Sequence, residues 1–213
     1  MRALLGAEEA GDHATSFGLI DPGGRAVYPA ATDWEHRRAE LAPITNFKVE
    51  STKDADVTVL VDHRPGIDPF IGLHFAQERQ VWHAMKVPGG WLVDPDPRIT
   101  PIVGPDGGAT TTALAWAKAV QRCDRAAAAK LQALPNLLGE SNGPNALCHA
   151  TGTVAADPPA AADQGPQTAD LVAQYTVDVL AYVRKVHIGG IPSPFNVYLV
   201  PIGTDWQVVA ISD

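Results

Sequence analysis

The sequence predicts an α+β protein built from two tandem domains, and three observations carry that prediction. A long helix signal, Thr110 to Leu134, opens the second half of the chain afresh. Each half places helices ahead of a run of strands rich in valine and aromatics. The order helix, short helix, strands, turn and Trp-bearing strand occurs twice, at an offset of roughly 112 to 115 residues, which is far longer than a solenoid repeat and so reads as a duplicated domain. The 213 residues suffice for two domains. They divide as residues 1–94, a Pro/Gly linker over 95–108, and residues 109–213.

In the first half, Ala3 to His13 reads as a short helix. The run Asp21-Pro22-Gly23-Gly24 reads as irregular, because proline and two glycines break regular structure. Thr32 or Asp33 can cap a second short helix that Pro43 closes, with Asp33 and Glu35 ahead of Arg37 and Arg38 as the helix dipole prefers. From Phe47 the period changes to two. Val57, Val59, Val61 and His63 alternate with Asp56, Thr58, Leu60 and Asp62, which gives one apolar face. Pro88-Gly89-Gly90 is a hairpin turn ahead of Trp91. The connection from His63 to Phe75 is long for a hairpin loop. Prolines and glycines crowd Asp94 to Gly108, so neither helix nor sheet is expected there.

In the second half, the long helix carries an apolar stripe of Trp116, Val120, Cys123, Ala127, Leu131 and Leu134, opposite Lys118, Arg122 and Arg125. Threonines can cap its start and Pro135 ends it. A short helical or irregular piece over 140–150 follows, and then a Pro/Ala/Gly/Asp surface loop to Thr168. Strands resume at Asp170, with Val177, Val179, Ala181 and Val183 on one face, and the Gly203-Thr204-Asp205 turn leads into Trp206.

Net charge is −8 and the isoelectric point about 5.3, which excludes a nucleic-acid partner because phosphate contact needs clustered cations. No apolar run is long enough to span a membrane. The helix-like opening at Met1 raises the expectation of a signal or anchor further upstream. Cys123 and Cys148 match no zinc spacing. They form a candidate disulfide worth about 3–4 kcal/mol by chain entropy, which would place the protein in an oxidising, extracytoplasmic compartment. Two buried free thiols, and with them a cytoplasmic location, are the other reading.

A helix ending at Gly11-Asp12 or Cys123-Asp124, a short helix after it, and a last strand opening with Gly90-Trp91 or Gly203-Thr204-Asp205-Trp206 together resemble the nuclear transport factor two-like superfamily, also called ketosteroid-isomerase-like or SnoaL-like. The resemblance implies two tandem cone-shaped α+β barrels, each a curved antiparallel sheet around an N-terminal helix. It implies that Trp91 and Trp206 close their cones as core residues, and that the first helix of domain one is short or truncated. Superfamily members include enzymes and binding modules, so function has to come from the site.

The most individual local segment is Val61 to Phe75, with Asp62, His63, Arg64, Asp68 and His74 around a Pro-Gly turn. These five are the candidate ligand or partner residues. His beside carboxylate suits acid–base work, but the spacing fits no metal motif, and Asp62 and Asp68 equally suit turn-fixing bonds to backbone. Asp178 and Arg184, of one parity, form a weaker pair. No cofactor-binding signature occurs, and neither a cofactor nor a metal is expected. Three functions are expected in order. The first is a non-catalytic binding or accessory protein of a bacterial envelope, acting on a protein partner or small apolar ligand. The second is a small-molecule binder or isomerase- or hydrolase-like enzyme using a cone pocket. The third is a component of a secretion or conjugation assembly. A cavity with converging carboxyl, His or Tyr groups speaks for the second; an interior filled by Trp, Val, Leu and Phe speaks against it.

Overall fold

The computed structural model describes residues 1–68, 72–133, 147–175 and 177–212. The chain is α+β and divides into two compact units, Met1–Ile102 and Val103–Asp213, each with its own apolar core and its own antiparallel sheet of five strands.

Unit one opens with four helices: α1 (Arg2–Glu9), α2 (His13–Phe17), α3 (Pro22–Val27) and α4 (Ala31–Ala39). The segment expected to be irregular after Asp21 is α3. Pro22 sits in its first turn, where a missing N–H costs nothing, and Asp21 accepts from the Gly24 amide at 2.7 Å. Gly24 also admits a close neighbour, since a Cβ there would lie 2.5 Å from Pro95. In α4, Asp33 reaches back to accept from the Ala30 amide at 2.9 Å.

Its sheet runs β1 (Ile44–Lys53), β2 (Asp56–His63), β5 (Gln77–Val87) and β6 (Gly90–Val93). A fifth strand, β7 (Arg98–Ile102), pairs with Gln77–Val81 of β5 on the edge that β6 leaves free. Strand β7 lies inside the stretch expected to be neither helix nor sheet. Its sheet position is an edge, where Pro101 removes no ladder bond that the core needs. The long connection after His63 forms its own small hairpin, β3 (Gly66–Asp68) with β4 (Gly72–His74). Val57, Val59, Val61 and His63 all face inward, as the period of two requires.

Unit two begins with α5 (Gly107–Gln121) and α6 (Arg125–Ala129). The single helix expected from Thr110 to Leu134 is therefore two. Cys123 turns left-handed (φ 60°), Asp124 caps α6 by accepting from the Ala127 amide at 3.0 Å, and the expected stripe beyond Leu131 continues into residues outside those described. Cys123 and Cys148 form a disulfide, with Cα atoms 4.9 Å apart. The expected surface loop contributes two short edge strands, β8 (Ala155–Ala156) and β9 (Ala160–Ala161), both paired with β10 (Arg184–Gly189). The expected strand from Asp170 is instead α7 (Ala169–Tyr175) and a 3-10 turn (Val177–Ala181), and regular pairing starts only at Arg184. Leu171, Val179 and Val183 are buried at separations that are multiples of four, so the same residues satisfied a helical period and an alternating one. Strands β11 (Phe195–Ile202) and β12 (Asp205–Ser212) complete the sheet in the order β12-β11-β10-β8.

The two units repeat at the level of single hydrogen bonds. Gly11 (φ 70°) and Cys123 (φ 60°) both turn left-handed after the first helix. Asp12 and Asp124 both cap the next one, at 3.0 Å each. The Asp12 amide donates to Ala7 at 2.8 Å and the Asp124 amide to Ala119 at 2.9 Å. Val93 and Val208 then hold the chain that leaves each short helix, by bridges to Ile20 and Gln132.

Candidate ligand-binding site

Helices α1, α2 and α4 and strands β2 and β5 of unit one bring a set of buried polar groups together. Glu8, on the face of α1 that also buries Leu4 and Leu5, is almost fully enclosed. Its carboxylate accepts from Trp34 Nε1 at 3.1 Å and pairs with Arg38, whose side chain is 11% exposed. Ser16 Oγ accepts from the same indole at 2.8 Å.

Beside this group lies a cavity of about 190 Å³, lined by Tyr28, Trp34, Arg38, His63, Glu78 and Trp82 among others, with Pro97 and Ile99 also in its wall. It is smaller than the roughly 300–1,000 Å³ usual for drug-sized ligands. His63, the last residue of β2, has Nδ1 3.0 Å from the Pro43 carbonyl. A carbonyl can only accept, so Nδ1 carries a hydrogen and Nε2 is the atom that gains or loses a proton. Nε2 lies 3.3 Å from Glu78 Oε2, as a charge contact lacking the alignment of a directed hydrogen bond. Gln80 Nε2 donates to Glu78 at 3.1 Å, and Trp82 Nε1 donates to Gln80 at 3.0 Å.

Burial works to lower the His63 pKa, but the adjoining Glu78 carboxylate outweighs it and holds the imidazole above its ordinary value. Burial likewise works to raise the Glu78 pKa, and His63 and the Gln80 amide outweigh it, so the carboxyl titrates below the usual range. The two shifts widen the pH range over which an imidazolium faces a carboxylate in this aromatic-walled cavity.

Of the five candidate residues, His63 lies in this cavity. Asp62 points to the opposite face of β2, where it accepts from Asn46 at 2.9 Å and Gln77 at 2.8 Å as a cross-strand brace. Arg64 is exposed. His74 is half-buried on β4, and Asp68 ends β3 with its side chain outside what the structure describes. Asp178, likewise undescribed in its side chain, sits in the 3-10 turn rather than on the strand with Arg184, and Arg184 pairs with Asp106 at 3.0 Å. Glu78, Gln80, Glu8 and Arg38 are not among the site residues that the sequence suggests. The signal was parity: Glu78 and Gln80 share the inward register of Trp82 and Ala84, where an apolar residue is the rule.

The repeat in unit two puts apolar side chains at the matching positions. Val120 stands for Glu8 and Ala128 for Ser16, each 112 residues on. Val59 faces Gln80 as Ile188 faces Phe195, so Phe195 stands for Gln80. Val120 and Ala128 belong to the packed core around Trp116, and the half-buried Phe195 packs against it. Among the described residues, His149 with Cys123 and Cys148 is the one group with metal-ligand spacing, and the disulfide occupies both sulfurs. No family model, curated protein or solved structure matches the chain.

Proposed function

We propose that the protein is an extracytoplasmic binding protein of two nuclear transport factor two-like domains, and that unit one binds a small, mainly apolar ligand in the cavity at His63 and Glu78. The observation that carries this is the contrast between the repeats. One interior keeps a charged, hydrogen-bonded set beside open space, and the other has Val120, Ala128 and Phe195 where that set has Glu8, Ser16 and Gln80. Buried polar groups cost stability unless they are satisfied. A set kept in only one of two repeats therefore argues for a use there. Aromatic walls give a ligand its apolar surface, and His63 and Glu78 give it fixed polar groups. The disulfide supports an oxidising compartment.

Trp34 and Trp82 line the cavity, so binding is readable from their fluorescence. Titration with small aromatic carboxylates and phenols should give a saturable change that His63→Phe abolishes. Absence of any saturable change, or an equal one in the variant, removes the reading. Acid–base catalysis by His63 with Glu78 is the second reading, favoured by the contact between Nε2 and the carboxylate. It requires turnover of a bound compound that Glu78→Gln stops without loss of binding. Membership of an envelope secretion or conjugation assembly rests on the tandem arrangement alone.

A further inference from the structure

Cys123, Cys148 and His149 of unit two bring their ligating atoms within 4.8 Å of one another, with the two cysteines half-buried and His149 exposed. The cysteines are 25 residues apart in the chain, so no local motif announces the group. Its backbone is unusual. Among the described residues, three that are not glycine turn left-handed, and Cys123 (φ 60°) and His149 (φ 66°) are two of them. That conformation is disfavoured for any residue with a Cβ. At the matching step unit one has Gly11, which adopts it freely. Strain of this kind persists where the surroundings over-determine it, and it gathers at functional sites.

The surroundings hold both sides of the group. The Cys123 amide donates to Val120 at 2.8 Å and the Asp124 amide to Ala119 at 2.9 Å. On the other side, Leu147 is buried in the core. The His149 amide donates to the Gln121 carbonyl at 2.9 Å. Gln121 Nε2 then donates to Ala150 at 2.8 Å and to Gly152 at 3.0 Å. Gly152 lies so close to Gly190 that a Cβ there would meet its carbonyl oxygen at 2.2 Å. None of these contacts runs through the S–S bond.

We propose that the reduced protein binds a thiophilic divalent cation, Zn²⁺ being the type, through Cys123, Cys148 and His149, and that the disulfide is the metal-free form of that site. Tetrahedral zinc with thiolate bonds of about 2.3 Å sets its two sulfurs about 3.8 Å apart. That separation lies within the 4.8 Å that already spans the group. Two thiolates and an imidazole suit a borderline-soft cation, and the exposed position of His149 leaves the fourth site to water. A phosphine or dithiol reductant supplies two electrons, which with two protons turn the disulfide into two thiols. The reductant leaves as phosphine oxide or as its own disulfide. The cation then displaces one proton from each thiol. A disulfide oxidant reverses this: it takes up two electrons and two protons as two thiols, the S–S bond reforms and the cation is released.

The full-length chain is reduced with a phosphine, freed of it without air, and titrated with Co²⁺, which takes the place of zinc and is coloured in thiolate sites. One Co²⁺ per chain should bind, with thiolate-to-metal absorption in the near ultraviolet and the strong visible bands of tetrahedral geometry, and Zn²⁺ should bleach both. Zn²⁺ should also raise the unfolding temperature of the reduced chain, because it binds the folded form, and leave the oxidised chain unchanged. His149→Ala should weaken Co²⁺ binding by at least the roughly 10–100-fold that loss of a ligand's supporting partner costs. Cys123→Ser with Cys148→Ser should abolish the thiolate absorption. Equal Co²⁺ binding by the oxidised chain, or unaltered bands and affinity in His149→Ala, would overturn the proposal. So would circular dichroism showing unit two unfolded by reduction alone, since the fold is what gathers the three ligands.

Discussion

At the scale of single residues, the charge pair of His63 and Glu78 makes the stability of unit one depend on pH in a defined window. The His63 pKa is raised in the fold, so its contribution is complete below the unfolded value of about 6.5 and is lost as pH rises through the folded value. The Glu78 pKa is lowered, so its contribution is complete above about 4.5 and is lost as pH falls through the folded value. The two together are fully present between those values. Denaturation followed at Trp34 and Trp82 should therefore show a maximum in mildly acidic solution, and Glu78→Gln should flatten the alkaline decline by removing the carboxylate that holds the proton. A decline of equal slope in the variant would assign the pH dependence elsewhere. Glu8 supplies a second residue-scale prediction. Glu8→Ala leaves Arg38 without its buried partner and should cost roughly 3–5 kcal/mol. Glu8→Val with Arg38→Leu copies the apolar solution of Val120 and should recover most of that loss, because Ser16 still accepts from Trp34. Urea denaturation of the two variants beside the original chain measures both.

At the scale of elements, the left-handed step and the capping aspartate after it organise both first helices. Asp12→Ala and Asp124→Ala should each cost about 1 kcal/mol by removing the acceptor of the Thr15 and Ala127 amides. Gly11→Ala should cost a similar amount, since its φ of 70° suits glycine and strains alanine. The step was legible in the sequence as Gly-Asp and Cys-Asp, and so were the strand faces Val57 to His63, the hairpin at Gly89 and the pairing of Cys123 with Cys148. What stayed illegible has a common physical cause: tertiary context settled cases in which local signals conflicted. Pro22 reads as a breaker until it is seen to occupy the first turn of a helix. Leu171, Val179 and Val183 fit two periods at once. Strands β7, β8 and β9 are edge strands of few residues, whose pairing comes from β5 and β10 rather than from their own propensity. The site was half legible for the same reason. His63 stood out beside Asp62, whereas Glu78 meets it, and Glu8 meets Arg38, only through contacts distant in sequence.

At the scale of the whole molecule, the two units have differently composed interiors, from which different stabilities and a different dependence on redox state are expected. Unit two has a core filled by Trp116 and its neighbours, and a cross-link from the left-handed step of its first helix to Cys148, 25 residues on. Unit one has no cysteine, holds a buried charge pair, and leaves Trp91, expected in its core, half exposed. A cross-link that closes a loop of that length stabilises by roughly 3–4 kcal/mol on the chain-entropy model. Reduction, or Cys123→Ser with Cys148→Ser, should therefore lower the unfolding transition of unit two and leave that of unit one in place. Mildly acidic pH should do the reverse, favouring unit one through His63 and Glu78 with little effect on a core whose described residues hold no such pair. Calorimetry across pH with and without a phosphine reductant separates the two. Two transitions that move independently would show that the repeats are separate folding units whose interiors have diverged, one toward packing and one toward a site. A single transition that responds to both treatments would show that the disulfide of one repeat also sets the stability of the cavity in the other.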